Sequence, residues 1–448
     1  MTGGAEAMAE LPRLPDPSPR AAGPPLPRLL LGARTGGPAL TLREHLGVHG
    51  PRPHLRPGRQ GGELITMVSE SGLRGRGGGA FPTAAKLSAV ARSGRRTIVV
   101  ANGAEGEPAS AKDGFLLGAA PHLVLDGAVL AAEAVGAREA IICIHGGPNP
   151  AIRAVTTAID ERREGGDRVR LKLVEIPPRY VAGEESALVH LLNGGPATPT
   201  LVPPRPFQRG VGGRPTLVQN VETLAHIALI ARHGPDWFRS IGAPEAPGSA
   251  LVTVTGELRR PGVFEIELGV PIPDLLRHAG GEICDFTALL VGGYFGTWVS
   301  AAEAATQRLD QPSLSAAGHA MGAGVIVAIR NGRCGLAETA HVMRYLARES
   351  AGQCGPCVHG LAAIADEMTA LAAGNRRAHP ERLVRWSEQV RGRGACRHPD
   401  GAVRLLASAL RVFGNDVDHH VHHGPCAAAF DAAVLPVTPP IEPARSAR

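Results

Sequence analysis

Lysine is almost missing from this chain. Across 448 residues it occurs only at Lys86, Lys112 and Lys172, so arginine supplies nearly every cation. Aromatic residues are scarce too, at 3%, which leaves Ala, Val and Leu to fill the cores that a 44% hydrophobic content can build. No apolar run approaches the roughly 20 residues of a membrane span, and Leu29-Leu30-Leu31 is too short for a signal-peptide core. Basic residues are scattered and rarely flanked by aromatics, and a formal charge of +6 is modest for this length, which argues against a nucleic-acid surface. Seven cysteines do not make a secreted disulfide framework, so a reducing, cytoplasmic setting is expected.

What is present falls into stretches of different texture. Residues 1–39 are Pro/Gly-rich and read as a disordered leader. Over 40–245, strand-like runs at Arg96–Ala101, Glu139–His145 and Val169–Ile176 alternate with Ala-rich helical segments, the pattern of an α/β core. Over 246–335, β-branched runs at Ala250–Glu257 and Val263–Leu268, joined by a turn at 259–262, indicate a small β-grasp domain. Residues 336–415 read as a helical bundle carrying cysteines, and 416–448 as a frayed His/Pro-rich tail.

Three loops carry chemistry. The first, Gly72 to Lys86, holds a glycine cluster with Arg74 and Arg76, followed by a helix expected near Thr83. Glycines let backbone N–H groups approach a phosphate, and a helix N-terminus adds positive potential. It is neither a Walker loop nor a clean G-x-G-x-x-G, and a flexible basic loop is the bland alternative. Lysine shifts the balance: in a chain that otherwise uses Arg, Lys86 and Lys112 fall beside the two Gly-rich segments. The second loop, Val100 to Asp113, follows a strand and carries Glu105 and Glu107; the third, Tyr180 to Leu188, carries Glu184 and Glu185. Carboxylates accept hydrogen bonds from ribose or ribityl hydroxyls, but each is as readily a helix-terminal charge.

Cys354 and Cys357, with Cys396 beyond, offer three thiolates in part of a C-x2-C-x2-C run whose first position is Ala351. By spacing alone an iron–sulfur cluster and a zinc site with one His are hardly separable. Cys143 and Cys284 sit in apolar stretches and read as core thiols. The segment Asp418 to Cys426 could bind a transition metal, though a solvated His cluster is the simpler reading.

Together these loops, the segment Gly213 to Leu224 and the cysteines resemble the family of flavin-binding (FMN, NADH, [4Fe–4S]) subunits of NADH:quinone oxidoreductase (respiratory complex I), related to diaphorase subunits of NAD-reducing hydrogenases and formate dehydrogenases. The resemblance runs from about Leu40 to Phe413. It implies a Rossmann-like FMN/NAD(P)H-binding α/β core, an SLBB-like β-grasp domain and a helical iron–sulfur domain. It also implies that Gly75, Arg76, Gly77 and Lys86 lie along the flavin phosphate and ribityl chain, and that Asn102 and Glu105 face ring and ribityl hydroxyls. Gly183, Glu184 and Glu185 would border flavin and nicotinamide, with Glu185 orienting the latter. Asn220 and Thr223 would hold the phosphate end, and Phe81 and Glu107 would touch the dinucleotide. Cys354, Cys357 and Cys396 match three of four [4Fe–4S] ligands; Ser350, His359 and His398 are nearby candidates for the fourth position, and a [3Fe–4S] cluster is the other possible form. The expected reaction passes electrons from NAD(P)H through FMN to the cluster and on to a small ferredoxin or thioredoxin-like [2Fe–2S] subunit. A scaffold without electron transfer and a ferredoxin-fed flavoenzyme are the alternatives.

The chain departs from the family at Ala351, at Ala104 (family Asp), at Gln219 (family Asn), and at Ala89, where the family has a stacking Phe. Around Leu201–Phe207 the basic, aromatic pattern is also gone. Loss of a stacking ring weakens dinucleotide binding by about 1–3 kcal/mol.

Overall fold

The computed structural model describes residues 26–33, 37–55, 62–93, 96–163 and 167–438. Four parallel strands, β1 (Ile98–Gly103), β2 (Glu139–His145), β3 (Arg170–Ile176) and β4 (Thr216–Asn220), form a sheet in the order β3-β2-β1-β4. The chain moves outward from β1 through β2 to β3, then returns to β1's other side as β4. The gap between β1 and β4 is therefore a topological switch point, where open α/β sheets bind ligands beyond the strands' carboxyl ends. The register sets Asn102 opposite Asn220 there.

Few aromatics leave packing to small side chains, and the helices show it. In α3 (Pro121–Val135), which follows α2 (Lys112–Ala119), nearly every residue is buried. It crosses α5 (Val221–His233) so closely that a Cβ on Gly127 would lie 1.8 Å from the Leu224 carbonyl oxygen. The pair α2 and α3 is apolar enough to span a membrane by composition, but it bends by 97° and lies inside this domain. Among the described residues no single helix is long and apolar enough to cross one. Before these come α1 (Thr83–Ala91), and between them α4 (Glu185–Leu192).

A five-stranded mixed sheet follows, built from β5 (Ser249–Gly256), β6 (Gly262–Glu267), β7 (Phe286–Val291), β8 (Thr297–Ser300) and β9 (Val325–Arg330) in the order β8-β7-β9-β5-β6. Only β9 and β5 run parallel. The helical end comprises α6 (Gly335–Arg348), a π-helical turn at Pro356–Leu361, α7 (Ala362–Ala372), α8 (Pro380–Val390), α9 (His398–Val412) and α10 (Gly414–His423).

Three expectations need correction. Leu29 and Leu30 are buried in the α/β core, and the Glu265 carboxylate accepts hydrogen bonds from the Arg28, Leu29 and Leu30 N–H groups, so the leader is not disordered at 28–31. The rest of the expected leader, 1–25 and 34–36, and the last part of the tail, 439–448, lie outside the described residues. The tail is helical through His423, because Val417 and His420 form a buried face among exposed histidines. Cys284 is exposed, since it sits in a 3-10 turn at Ile283–Asp285 rather than in the neighbouring strand; Cys143 is buried as expected.

Candidate functional site

The three loops converge at the ends of β1 and β4. Loop 72–82 closes on itself through the Gly75 N–H to Phe81 carbonyl bond (2.9 Å) and delivers Lys86 on α1. Lys86 Nζ lies 2.7 Å from Glu185 Oε2, at the start of α4. No acidic residue and no side-chain cap occupies the first turn of α1, so its positive end lacks a compensating carboxylate, although the Thr83 N–H already donates to the Leu73 carbonyl (3.0 Å). Two glycines admit close approach here: a Cβ on Gly77 would stand 3.1 Å from Asn220 Cβ, and one on Gly183 would stand 3.2 Å from Ala104. Asn102 bridges loops two and three, donating to the Gly183 carbonyl (2.8 Å) and accepting from the Ala104 N–H (3.1 Å).

Beneath this surface lies a buried charge network that sequence reasoning missed. Lys112 Nζ sits 2.6 Å from Asp113 and 2.8 Å from Glu222, with all three side chains buried. Burial alone would lower the Lys112 ammonium, but Asp113 and Glu222 raise it above its ordinary value. Burial would raise Glu222, yet Lys112, His226 and Arg76 bring it down to about 2. Burial dominates at Asp113 and pushes it up to about 6. Asn220 is tied to this network, donating to Asp113 (2.7 Å) and capping α5 by accepting from the Glu222 N–H (3.0 Å). The rarity of lysine had marked Lys112; nothing in the spacing marked Glu222.

Several expected ligand contacts are turned inward. The Arg76 guanidinium is buried, donating to the Ser249 carbonyl (3.0 Å) and lying 3.9 Å from Glu222, while its backbone N–H donates to Thr223 Oγ1 (2.9 Å). Thr223 is thus a strut for the loop. Glu105 accepts from Ser110 (2.5 Å) and from the Asp113 and Gly114 N–H groups, capping α2. Glu184 caps α4 by accepting from the Ser186 and Ala187 N–H groups. Glu107 is buried, accepting from the Tyr294 N–H (2.7 Å) and the Tyr180 hydroxyl (3.2 Å), and burial pushes its carboxyl up to about 7. Of the residues expected to touch a dinucleotide, only Phe81 is open, at 58% exposure. A separate cleft opens between loop 72–80 and the β-grasp domain, lined by Arg76, Lys112, Glu222 and Met321 among others; it does not include Lys86, Asn102 or Glu185.

These features fit a flavin mononucleotide. The carboxylates near the loop cap helices or are paired, so a phosphate would meet Lys86, the uncompensated N-terminus of α1 and glycine backbone instead of free negative charge.

The cysteine loop docks directly onto the third loop. Glu349 accepts from the Tyr180 N–H (3.1 Å), Arg179 donates to the Ser350 carbonyl (3.2 Å), and Gln353 donates to Thr198 (3.1 Å). Burial and its neighbours Cys354 and Cys396 push the Cys357 thiol up to about 12; Cys396 is raised by burial first and also by Glu184, the cap of α4. At the missing fourth position, the Ala351 N–H points at Cys357 sulfur. His359 is exposed, whereas His398 is buried, sharing a 2.7 Å bond between Nε2 and the Leu346 carbonyl and leaving Nδ1 without a hydrogen-bond partner.

Comparison with known proteins follows the same three blocks. The Nuo51 FMN-binding domain family matches residues 68–229, the SLBB domain family 251–284, and the NADH-ubiquinone oxidoreductase-F iron-sulfur binding region 337–420. The second NADH-quinone oxidoreductase-F protein of Rhizobium meliloti is 32% identical over 413 residues, covering 89% of this chain and 96% of the relative. The NAD-reducing hydrogenase HoxS subunit alpha of Cupriavidus necator is 31% identical over 386 residues, covering 82% of this chain and 62% of the relative. A crystal structure of NAD+-reducing [NiFe]-hydrogenase in the H2-reduced state superposes with a TM-score of 0.74 at 31% identity, over 80% of this chain and 62% of that one. With its parallel sheet, β-grasp domain and cysteine-bearing bundle following one another in the order of those family matches, this chain belongs to the NADH-quinone oxidoreductase-F family.

Proposed function

We propose that this chain is an NADH dehydrogenase module that takes electrons from NAD(P)H at FMN and delivers them, through an iron–sulfur cluster on Cys354, Cys357 and Cys396, to a protein acceptor. FMN, when bound, accepts a hydride and returns the electrons singly. The protein's contribution is positioning. Lys86 and the N-terminus of α1 would hold the phosphate; Gly75, Gly77 and Gly183 let backbone approach; Asn102 ties its strand end to Gly183, and Asn220 ties its own to Asp113. Glu185, half-buried and paired with Lys86, would orient the nicotinamide amide, and Phe81 would flank the dinucleotide.

The observation that carries this reading is the docking of the cysteine loop on Tyr180 and Thr198, which brings that loop against the segment expected to border the flavin. A small ferredoxin or thioredoxin-like [2Fe–2S] subunit is the acceptor we favour, working in the cytoplasm. The test is anaerobic reconstitution with FMN, iron and sulfide, followed by addition of NADH, NADPH or reduced ferredoxin. Flavin bleaching by a reduced nicotinamide supports the reading. Flavin that bleaches only with ferredoxin, or with none of them, contradicts it.

A further inference from the structure

The strongest unassigned feature lies at the far end of the bundle. Cys334, His420 and Cys426 bring Sγ, a ring nitrogen and Sγ within 4.8 Å of one another. They come from three separate places: the residue that caps α6, the buried face of α10, and the turn after it. Cys334 and His420 are buried and Cys426 is half-buried. His420 Nδ1 lies 3.3 Å from the Leu371 carbonyl; Nε2 lies 3.7 Å from Cys334 Sγ and accepts from the Cys426 N–H (3.3 Å), a bond that a metal on Nε2 would replace. A tetrahedral zinc with bonds of about 2.3 Å to sulfur and 2.0–2.1 Å to nitrogen sets its ligand atoms roughly 3.5–3.8 Å apart.

The surroundings are built for this convergence. Cys334 sulfur accepts from the Ala337 N–H (3.4 Å) at the N-terminus of α6, which offsets part of the rise that burial imposes on this thiol. Gly374 lacks room for a Cβ, which would stand 2.3 Å from Pro425, so the turn folds tightly and returns Cys426 to the site. Of the four tail histidines, His419, His422 and His423 are exposed and only His420 turns fully inward. The imidazole is held in one orientation between the Leu371 carbonyl and the Cys426 N–H.

We propose that Cys334, His420 and Cys426 bind a structural zinc ion, with water completing the shell on the half-buried side of Cys426. Two thiolates and a neutral imidazole balance a divalent charge, which makes burial tolerable, and two sulfurs with one nitrogen suit borderline-soft Zn2+. Binding releases two thiol protons and changes no oxidation state. The ion anchors the root of the C-terminal segment, which continues over α6: Glu338 accepts from the Val434 and Leu435 N–H groups (2.7 and 3.1 Å), and Thr438 donates to the Tyr345 hydroxyl (3.0 Å).

The test uses the full chain with its iron–sulfur cluster loaded, so that Cys354, Cys357 and Cys396 are occupied. Zinc alone is added, excess is removed, and zinc, iron and free thiols are counted. The expected result is one zinc per chain in the wild type, lost in Cys426→Ser and His420→Asn with iron unchanged. Co2+ added alone should give a thiolate-to-cobalt absorption band that both variants abolish. Because Cys426 is half-buried, its variant tests the site even if changes at buried His420 impair folding. Zinc retained in Cys426→Ser, zinc lost only when Cys354 and Cys357 are replaced, or a Cys334–Cys426 disulfide in the thiol count would each overturn the proposal.

Discussion

At the strand ends each buried charge faces an opposite one: Lys112 lies between Asp113 and Glu222, and Arg76 faces Glu222 from the other side. At the cysteine loop the like groups face each other, and each of Cys354 and Cys396 raises Cys357. In the first region the charges pair with one another and hold the loops in place, although Arg76 Nε and Gln219 Nε2 are buried without a hydrogen-bond partner. The second is organised for a cation that the side chains do not provide, and Ala351 leaves it one thiolate short of the family set. Preorganised scaffolding thus persists where it also stabilises the fold, whereas a ligand position that serves only the cluster can be lost without unfolding the chain.

Removing Lys112 should have the largest effect. Lys112→Met leaves two carboxyls buried without their cation, and a loss of about 3–5 kcal/mol is expected in urea unfolding. The effect should shrink towards low pH as the carboxyls protonate. If Lys112→Met unfolds like wild type at neutral pH, the contrast between the two regions fails.

Glu107 sharpens the contrast through pH. Its folded carboxyl is raised by burial to about 7 from 4.5. The folded state therefore holds the proton more tightly than the unfolded one, and this group favours folding below pH 4.5. That advantage is lost as pH rises through about 7, by at most about 3 kcal/mol. Glu107→Gln should flatten this slope in thermal unfolding between those values; an unchanged slope would assign it to other groups, such as Asp113.

Lys86 is half-buried and its pair with Glu185 is near solvent, so Lys86→Met should change stability by less than about 1 kcal/mol. Its FMN affinity should nevertheless fall roughly 10- to 100-fold, the worth of a charge-assisted bond. Titration of apo-protein with FMN checks this. The smallest change to the fold is expected from Ala351→Cys at a half-buried loop position. It should leave unfolding unaltered while raising iron per chain and converting a three-iron or labile signal to a four-thiolate one.

Much of this was legible in the sequence. Glu139–His145 is a strand with the expected bounds, because its β-branched run is bracketed by polar residues and a glycine pair. The short strand Thr216–Asn220 was not recognised, since it is hidden between Pro215 and the helix that Asn220 caps. The loops that gather at the switch point were read correctly as loops, but side-chain direction was not: Arg76 and Thr223 bond to each other, and Glu105 and Glu184 cap helices. Direction depends on partners far away in sequence, such as Ser249 for Arg76, that no local spacing announces. The same is true of Cys334 and His420, which are 86 residues apart.

The most direct test of the electron route is EPR of anaerobically reconstituted protein, frozen before and after NADH, in wild type and Cys354→Ser. The expected outcome is an iron–sulfur signal that NADH changes in wild type and that disappears in Cys354→Ser, while NADH still bleaches the flavin in both. Iron that stays silent towards NADH while the flavin bleaches, or protein that takes up no cluster iron at all, would show that electrons do not pass from the flavin to these cysteines.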